Sequence, residues 1–438
     1  MENLSDVLPP SARTNPAGHL EIAGCDTVEL AERFGTPLFV YDEDFLNARL
    51  GEYRDAFMGE RIDGYVAYAS KAFSCLAMAR LVADSGLWMD VSTGGELAVA
   101  LAGGFPAERL VVHGNNKSVA EIEAAVVAGA GRIVIDSLEE TDRIDAAVQA
   151  TGTEPVTALL RLTPGIDPDT HAYIRTGQED SKFGLGISTG QAHEAVKRLA
   201  GLESIRLVGV HSHIGSQIFD LGGFEEAVDV LADFAHEASD TYGSALSEFN
   251  LGGGLGIAYL EHERTTSVAE LADVLWTRLT DACDRHGLPA PRIGVEPGRS
   301  LVGRSAVTLY SVGVVKELPG IRTYVAVDGG MSDNMRPSLY DAGYETLLAS
   351  RPDAGRDLIA HVAGKHCETG DILVEDASLP SDVQAGDVLV TPATGAYGYA
   401  MANNYNLVHR PAVVFASHGE ARLVIRRETD ADLMSLME

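Results

Sequence analysis

The 438 residues contain six lysines against twenty-seven arginines. One of the six, Lys71, follows the apolar run YVAYA (65–69) and sits among Ala, Ser and Phe rather than in a charged patch. An amine desolvated at the end of a buried strand has a lowered pKa, which suits it to nucleophilic Schiff-base chemistry. A lysine that snorkels or pairs with a carboxylate would fit the same position. HSHIGS (211–216) places His211 and His213 two apart, on one side of an extended strand. Two such imidazoles can ligate a metal, but no third ligand stands nearby in sequence, so no metal is expected. A flat imidazole against a planar ligand and a hydrogen-bonded core histidine both stay open. NLGGGLG (250–256) lets the backbone approach closely and point N–H groups at a phosphate. A tight turn would use the same glycines, and Ile257 stands where a dinucleotide fingerprint needs its last glycine. In EPGRS (296–300), Glu296 can hold a proton on a ring nitrogen, and Arg299 can grip a carboxylate or phosphate in a bidentate pair; alternatively the two pair with each other.

Two further groups stand at comparable positions. DVSTGGEL (90–97) offers Asp90 to orient a neighbouring base or cation, or as a satisfied structural carboxylate. Ser92 and Thr93 read as helix caps, and Gly94-Gly95 as a tight turn. Gly215 and Ser216 can present a backbone N–H and a hydroxyl to an anion. An amine for an imine, a flat imidazole, a phosphate nest and an acid for a heterocyclic nitrogen form one set of requirements, those of pyridoxal 5'-phosphate.

The elements that must position these groups alternate. Strand candidates at 65–69, 87–91, 109–114, 132–136, 157–162, 207–214, 248–252 and 292–296 are separated by helical patterns such as VAEIEAAVVAGA (119–130). Eight such units predict an α/β chain folded as a (β/α)8 TIM-like barrel, with an open doubly wound sheet as competitor. Chemistry then belongs at the C-terminal strand ends, where Lys71, Asp90, His211, His213 and Glu296 fall. After about residue 303 long helices vanish. Runs at 306–315, 323–330, 371–376, 387–393, 411–417 and 421–427 read as antiparallel strands of a C-terminal β-rich domain, a barrel or sandwich. The expected division is 1–37 as an N-terminal segment packing with the C-terminal β domain, 38–303 as the barrel and 304–438 as the β-rich domain.

Composition limits the partners. Net charge is −31, which repels nucleic acid and anionic lipid. No apolar run is long enough to span a bilayer and no signal pattern opens the chain, so a cytoplasmic place is expected. Cys25, Cys75, Cys283 and Cys367 are widely separated and form neither a disulfide framework nor a metal motif.

Seven ordered motifs carry a family resemblance: YASKA around Lys71, HSHIGSQ (211–217), LGGGLG (251–256), EPGRS, MRPSLYDAGYE (335–345), GKHCETGD (364–371) and GAYGYAMANNYN (395–406). Over almost its whole length the chain resembles the diaminopimelate decarboxylases. These belong to the alanine-racemase-like group of pyridoxal-phosphate enzymes, which also holds ornithine and arginine decarboxylases. The resemblance implies that Lys71 anchors the cofactor aldehyde, His213 stacks on its ring and Ser216, Gly253 and Gly254 hold its phosphate. Glu296 would face the ring nitrogen, with Asp90 and Gly298 also beside the cofactor. Arg299 would reach both cofactor and substrate, and Tyr397 both phosphate and substrate. Arg336 and Tyr340 would bind the distal carboxylate, Glu368 the distal ammonium, and Cys367 would donate the proton. It further implies decarboxylation of meso-2,6-diaminopimelate to L-lysine, the last step of lysine biosynthesis, by a homodimer whose Cys367 loop enters the neighbouring subunit's site. Decarboxylases of other basic amino acids are the alternative; they would have little use for two buried arginines. RTGQEDSKFGL (175–185) resembles a loop near the site. No chemistry is assigned to Phe73, Lys117, Lys182 or HGNNKS (113–118).

Overall fold

The structure, a computed structural model, describes residues 4–166 and 181–438. The chain divides into two compact units.

One unit, Leu50–Gly256 with Thr266–Gly298, holds the barrel. Its strands are Gly64–Ala69, Trp88–Val91, Leu110–Val112, Arg132–Ile135, Val156–Thr163, Ile205–His211, Glu248–Asn250 and Arg292–Val295. Each pairs in parallel with the next, and the eighth pairs with the first, so the sheet closes. All eight expected strands form. The doubly wound alternative is excluded by closure, which removes both sheet edges. The interior is filled by Tyr65, Ala67, Val111, Val134 and Leu159. Several intervening helices begin at side-chain caps. Ser118 and Glu121 make a reciprocal capping box before Val119–Ala128, and Thr93 Oγ1 accepts from Glu96 N–H at 3.2 Å. Gly94-Gly95, expected as a tight turn, instead forms the first turn of the helix Gly94–Ala102. Ser92 caps nothing; its own N–H donates to the Glu96 carboxylate at 2.6 Å.

The barrel's two ends differ in kind. At the N-terminal end, where strands four and seven begin, Arg132 grips Glu248 through Nε at 2.9 Å and Nη2 at 2.7 Å, with its guanidinium over Trp88. Deleting one partner of such a buried pair costs about 3–5 kcal/mol, a purely structural debt. At the other end the register sets Ala69 beside Asp90 and His211 beside Asn250, so polar side chains gather where the strands stop.

The other unit comprises Met1–Arg49, Ile257–Thr265 and Arg299–Glu438. Its nine-stranded sheet is organised by the thirteen-residue strand Ala306–Leu318. The first half of that strand lies between Leu38–Asp42 and Val388–Pro392, and the second half pairs with Arg322–Val327. The six late strands expected from sequence all form, but the sheet is not wholly antiparallel. Leu38–Asp42 pairs in parallel with Ala412–Ser417, and Arg322–Val327 with Leu358–Ala363. The physical reason is that the N-terminal strand enters from outside the local meander, and a long connection separates 327 from 358. Among the described residues no helix is long and apolar enough to cross a membrane.

Candidate active site

In the barrel unit a buried carboxylate is the centre of the strand-end cluster. Glu296 follows the eighth strand. Its Oε1 accepts from His113 Nε2 at 2.8 Å and Asn250 Nδ2 at 2.7 Å, and its Oε2 from His211 Nε2 at 3.0 Å. Burial acts to raise its pKa, but its interactions with His113 and His211, hydrogen bonds among them, outweigh burial and hold it well below the usual carboxylate range. Burial pushes His211 down to about 4, so it donates as a neutral imidazole. Asn250 also donates to the hydroxyl of Tyr65 at 3.0 Å, which ties the cluster to the barrel interior.

Asp90 is buried, and among the described residues its Oδ1, 4.0 Å from His113 Nε2, has no hydrogen-bond partner. Burial pushes it up to about 6, against the attraction of His113 and with the help of Glu296 repulsion. His213 Nδ1 accepts from Gly253 N–H at 3.2 Å. Burial, then the charges of Lys71 and Arg161, hold this imidazole well below its ordinary pKa, so it is neutral. The charge of Lys71 thus acts on both Asp90 and His213. Its desolvation was expected from sequence and is not found: Lys71 is exposed, because the turn Ser70–Ala72 carries it beyond Ala69, the last residue in register with strand two.

The glycine run is shaped by contact. A Cβ on Gly253 would lie 2.2 Å from the Glu296 carbonyl oxygen; one on Gly254, at φ +134°, would lie 2.6 Å from the Gly215 carbonyl. Backbone, not side chain, thus lines this corner. A Cβ on Gly298 would meet Ala69 and Ala72 at 3.1–3.2 Å, so this glycine packs closely against the Lys71 turn. Ser216 lies part-buried beyond His213.

The rest of the expected set belongs to the other unit. Arg299 Nη1 donates to Tyr259 Oη at 2.6 Å, and its guanidinium lies 4.8 Å from the Tyr397 ring centre. Arg336 opens the short helix Arg336–Tyr340, donates to Tyr344 Oη and lies 4.2 Å over the Tyr259 ring. Tyr397 holds φ +61°, a left-handed conformation that is unfavourable by about 1–3 kcal/mol for such a residue and typical of ligand clamps. Tyr340 is part-buried at the end of its helix. Cys367 and Glu368 are exposed on the turn between Leu358–Ala363 and Ile372–Leu379. Cys367 N–H donates to Asn406 Oδ1 at 3.0 Å, and among the described residues no hydrogen bond or ion pair ties either residue to the arginines.

The structure thus gathers Lys71, Asp90, His213, Gly253, Gly254 and Glu296 in one unit, and Arg299, Arg336 and Tyr397 in the other. The pairing of Glu296 with Arg299, one sequence alternative, gives way to histidine partners. His113, Asn250, Tyr259 and Tyr344 join these clusters without having been singled out. Lys117 is structural: its Nζ donates to the Gly114 and Val134 carbonyls at 2.7 and 2.8 Å and pairs with Glu140 at 3.0 Å. Phe73 is buried, and its carbonyl accepts from Tyr68 Oη at 2.6 Å. Of 175–185, residues 175–180 lie outside the described residues; Lys182 stands over the Phe183 ring.

The pyridoxal binding domain of the pyridoxal-dependent decarboxylases matches residues 44–303. The chain is 47% identical to the diaminopimelate decarboxylase of Bacillus subtilis over 97% of each chain. It is also 47% identical to that of Mycobacterium tuberculosis, over 98% of this chain and 97% of the relative. The structure of diaminopimelate decarboxylase from M. jannaschii in complex with L-lysine superposes with a TM-score of 0.90 at 35% identity, covering 98% of both chains. Fold and sequence together define a pyridoxal-dependent decarboxylase. The chain belongs to the diaminopimelate decarboxylase family.

Proposed function

We propose that this chain decarboxylates meso-2,6-diaminopimelate to L-lysine and CO2, using pyridoxal 5'-phosphate. The observation that carries the substrate choice is Arg336. It is buried, and among the described residues its contacts are the Tyr344 hydroxyl and the Tyr259 ring face, with no ion pair to a carboxylate. With Arg299 bound to the same Tyr259, it suits a distal carboxylate that ornithine, arginine and lysine lack. The family relationship points the same way.

The residues fit the cofactor. Lys71 would hold the aldehyde, and neutral His213 would lie against the ring, beside Asp90. Gly253, Gly254 and Ser216 would hold the phosphate, and Gly298 would leave room for the Lys71 turn. The buried atoms Asp90 Oδ1, His211 Nδ1 and Ser212 Oγ, which lack hydrogen-bond partners among the described residues, support a site built for a polar ligand. Anionic Glu296 would keep a proton on the ring nitrogen. When bound, the cofactor supplies the electron sink for the pair released with CO2.

The chain's own side chains do the rest. Arg299, Arg336 and Tyr340 fix the distal carboxylate and Glu368 the distal ammonium, which leaves the other end's carboxylate as the one to depart. Cys367 then returns a proton to the substrate carbon. Its exposure supports delivery across a homodimer interface, as does the exposed Leu407. The place of action is the cytoplasm. The deciding experiment is CO2 release from meso-diaminopimelate, lysine, ornithine and arginine. Turnover confined to the first supports the reading; preference for any other overturns it.

A further inference from the structure

Tyr259 touches both Arg299 and Arg336. Its hydroxyl accepts from Arg299 Nη1 at 2.6 Å, while its ring face carries the Arg336 guanidinium at 4.2 Å. Tyr344 stands edge-on to that ring, 5.2 Å between centres, and its hydroxyl accepts from Arg336 Nη1. All four side chains are buried. A guanidinium out of water is ordinarily paired with a carboxylate, because its charge is otherwise uncompensated. Tyrosines meet its needs differently: a hydroxyl accepts the hydrogen bond and a ring face attracts the cation, yet neither cancels the charge. The Tyr344 phenol, pushed up to about 12 by burial, stays neutral at working pH. Arg336 Nε is buried and has no hydrogen-bond partner among the described residues. Positive charge is thereby kept for an incoming anion.

The arrangement also fixes geometry. One rigid side chain holds one cation at its hydroxyl and the other at its face, so the two guanidiniums cannot drift apart independently. We propose that Tyr259 is a positioning residue that sets the spacing of Arg299 and Arg336, and with it the selectivity for substrates bearing a second carboxylate. The inference rests on reading these arginines as the distal carboxylate site.

Two substitutions separate the contributions. Tyr259→Phe keeps the ring face and loses the hydroxyl; Tyr259→Leu loses both. The probes are pimelate, a seven-carbon dicarboxylate without amines, and the monocarboxylate hexanoate, each measured as a competitive inhibitor of the holoenzyme beside KM and kcat for meso-diaminopimelate. Tyr259→Phe is expected to weaken pimelate about tenfold and to raise KM by a similar factor. Tyr259→Leu should weaken it about a hundredfold. In both, kcat should fall far less than kcat/KM, while hexanoate and the cofactor's visible spectrum stay as in the wild type. If both variants keep the wild-type fold and bind pimelate as the wild type does, Tyr259 does not position the arginines. If the wild type itself turns over meso-diaminopimelate but holds pimelate no better than hexanoate, the proposal fails while the activity stands. A wild type inactive on meso-diaminopimelate removes the reading of the site and the proposal with it.

Discussion

His113 Nε2 lies 2.8 Å from Glu296 Oε1, although 183 residues separate them. The contact joins the end of the third barrel strand to the end of the eighth. It fixes what kind of acid Glu296 is. A carboxylate buried among apolar strands would take up a proton; here two imidazoles and an amide cover both of its oxygens. An anion so held can keep a proton on a heterocyclic nitrogen, which a neutral acid cannot.

The first prediction concerns His113. His113→Ala leaves a buried carboxylate short of a donor, at a cost of about 1–3 kcal/mol. Urea unfolding of the cofactor-free protein should show that loss. Cofactor retention through dialysis should fall as well, because Glu296, less stabilised as an anion, takes up a proton more readily and loses the charge that favours a protonated ring nitrogen. His113→Gln, which keeps a donor, should recover part of both. Wild-type retention and stability in His113→Ala would show that Asn250 and His211 suffice.

Asp90 gives a prediction with a definite pH sign. Its pKa is raised from 3.8 to about 6 in the folded cofactor-free chain. The unfolded chain therefore ionises first, and between those values the folded state binds more protons. The associated stability is present below about pH 4 and lost as pH rises through about 6. Above pH 6 the ionised group burdens the fold by about 2–3 kcal/mol, at 1.36 kcal/mol per unit. Asp90→Asn should accordingly stabilise the cofactor-free protein near pH 8 and change little at pH 4. Thermal melts of both proteins across that range decide it; equal shifts at both ends would contradict the assignment.

Much of the barrel was legible because its signals are local. Short apolar runs between Ala-rich amphipathic stretches recur eight times, and closure follows from their number. The glycine run, Lys71 and Glu296 were legible from position alone, each falling where a strand stops. His113 occupies the same kind of position, in HGNNKS, yet its meaning depends on a partner that only closure brings near. Tyr259 and Tyr344 carry no local signal, since nothing in AYL or GYE tells a tyrosine that carries a guanidinium from one that packs. Lys71 went the other way. A strand-end position suggested a desolvated amine, but one turn of chain was enough to leave it exposed. The parallel pairings of the second sheet were hidden because strand direction depends on partners remote in sequence.

The anchor itself is directly testable. Borohydride reduction of the holoenzyme followed by tryptic mapping should place the pyridoxyl label on Lys71. Lys71→Ala should lose the visible absorbance of lysine-bound cofactor and all measurable turnover. A label on Lys117 would contradict this, and the structure argues against it, since Lys117 is buried with two carbonyls and Glu140 already at its amine.

Cys367 connects chemistry with assembly. Cys367→Ala should lower kcat by about 10²–10⁴-fold, the range for a lost proton donor, while the spectrum of the bound cofactor stays intact. The proposed delivery of the proton from a partner's turn has a sharper consequence. Lys71→Ala should be inactive, and Cys367→Ala nearly so, when each is assembled only with its own kind. Co-expressed or mixed under exchange, they form heterodimers in which one of the two sites draws a wild-type lysine from one chain and a wild-type cysteine from the other. Activity should then reappear and grow with the fraction of heterodimer. If it does not, although mixed dimers are isolated, then each turn serves its own chain and the exposure of Cys367 has another cause.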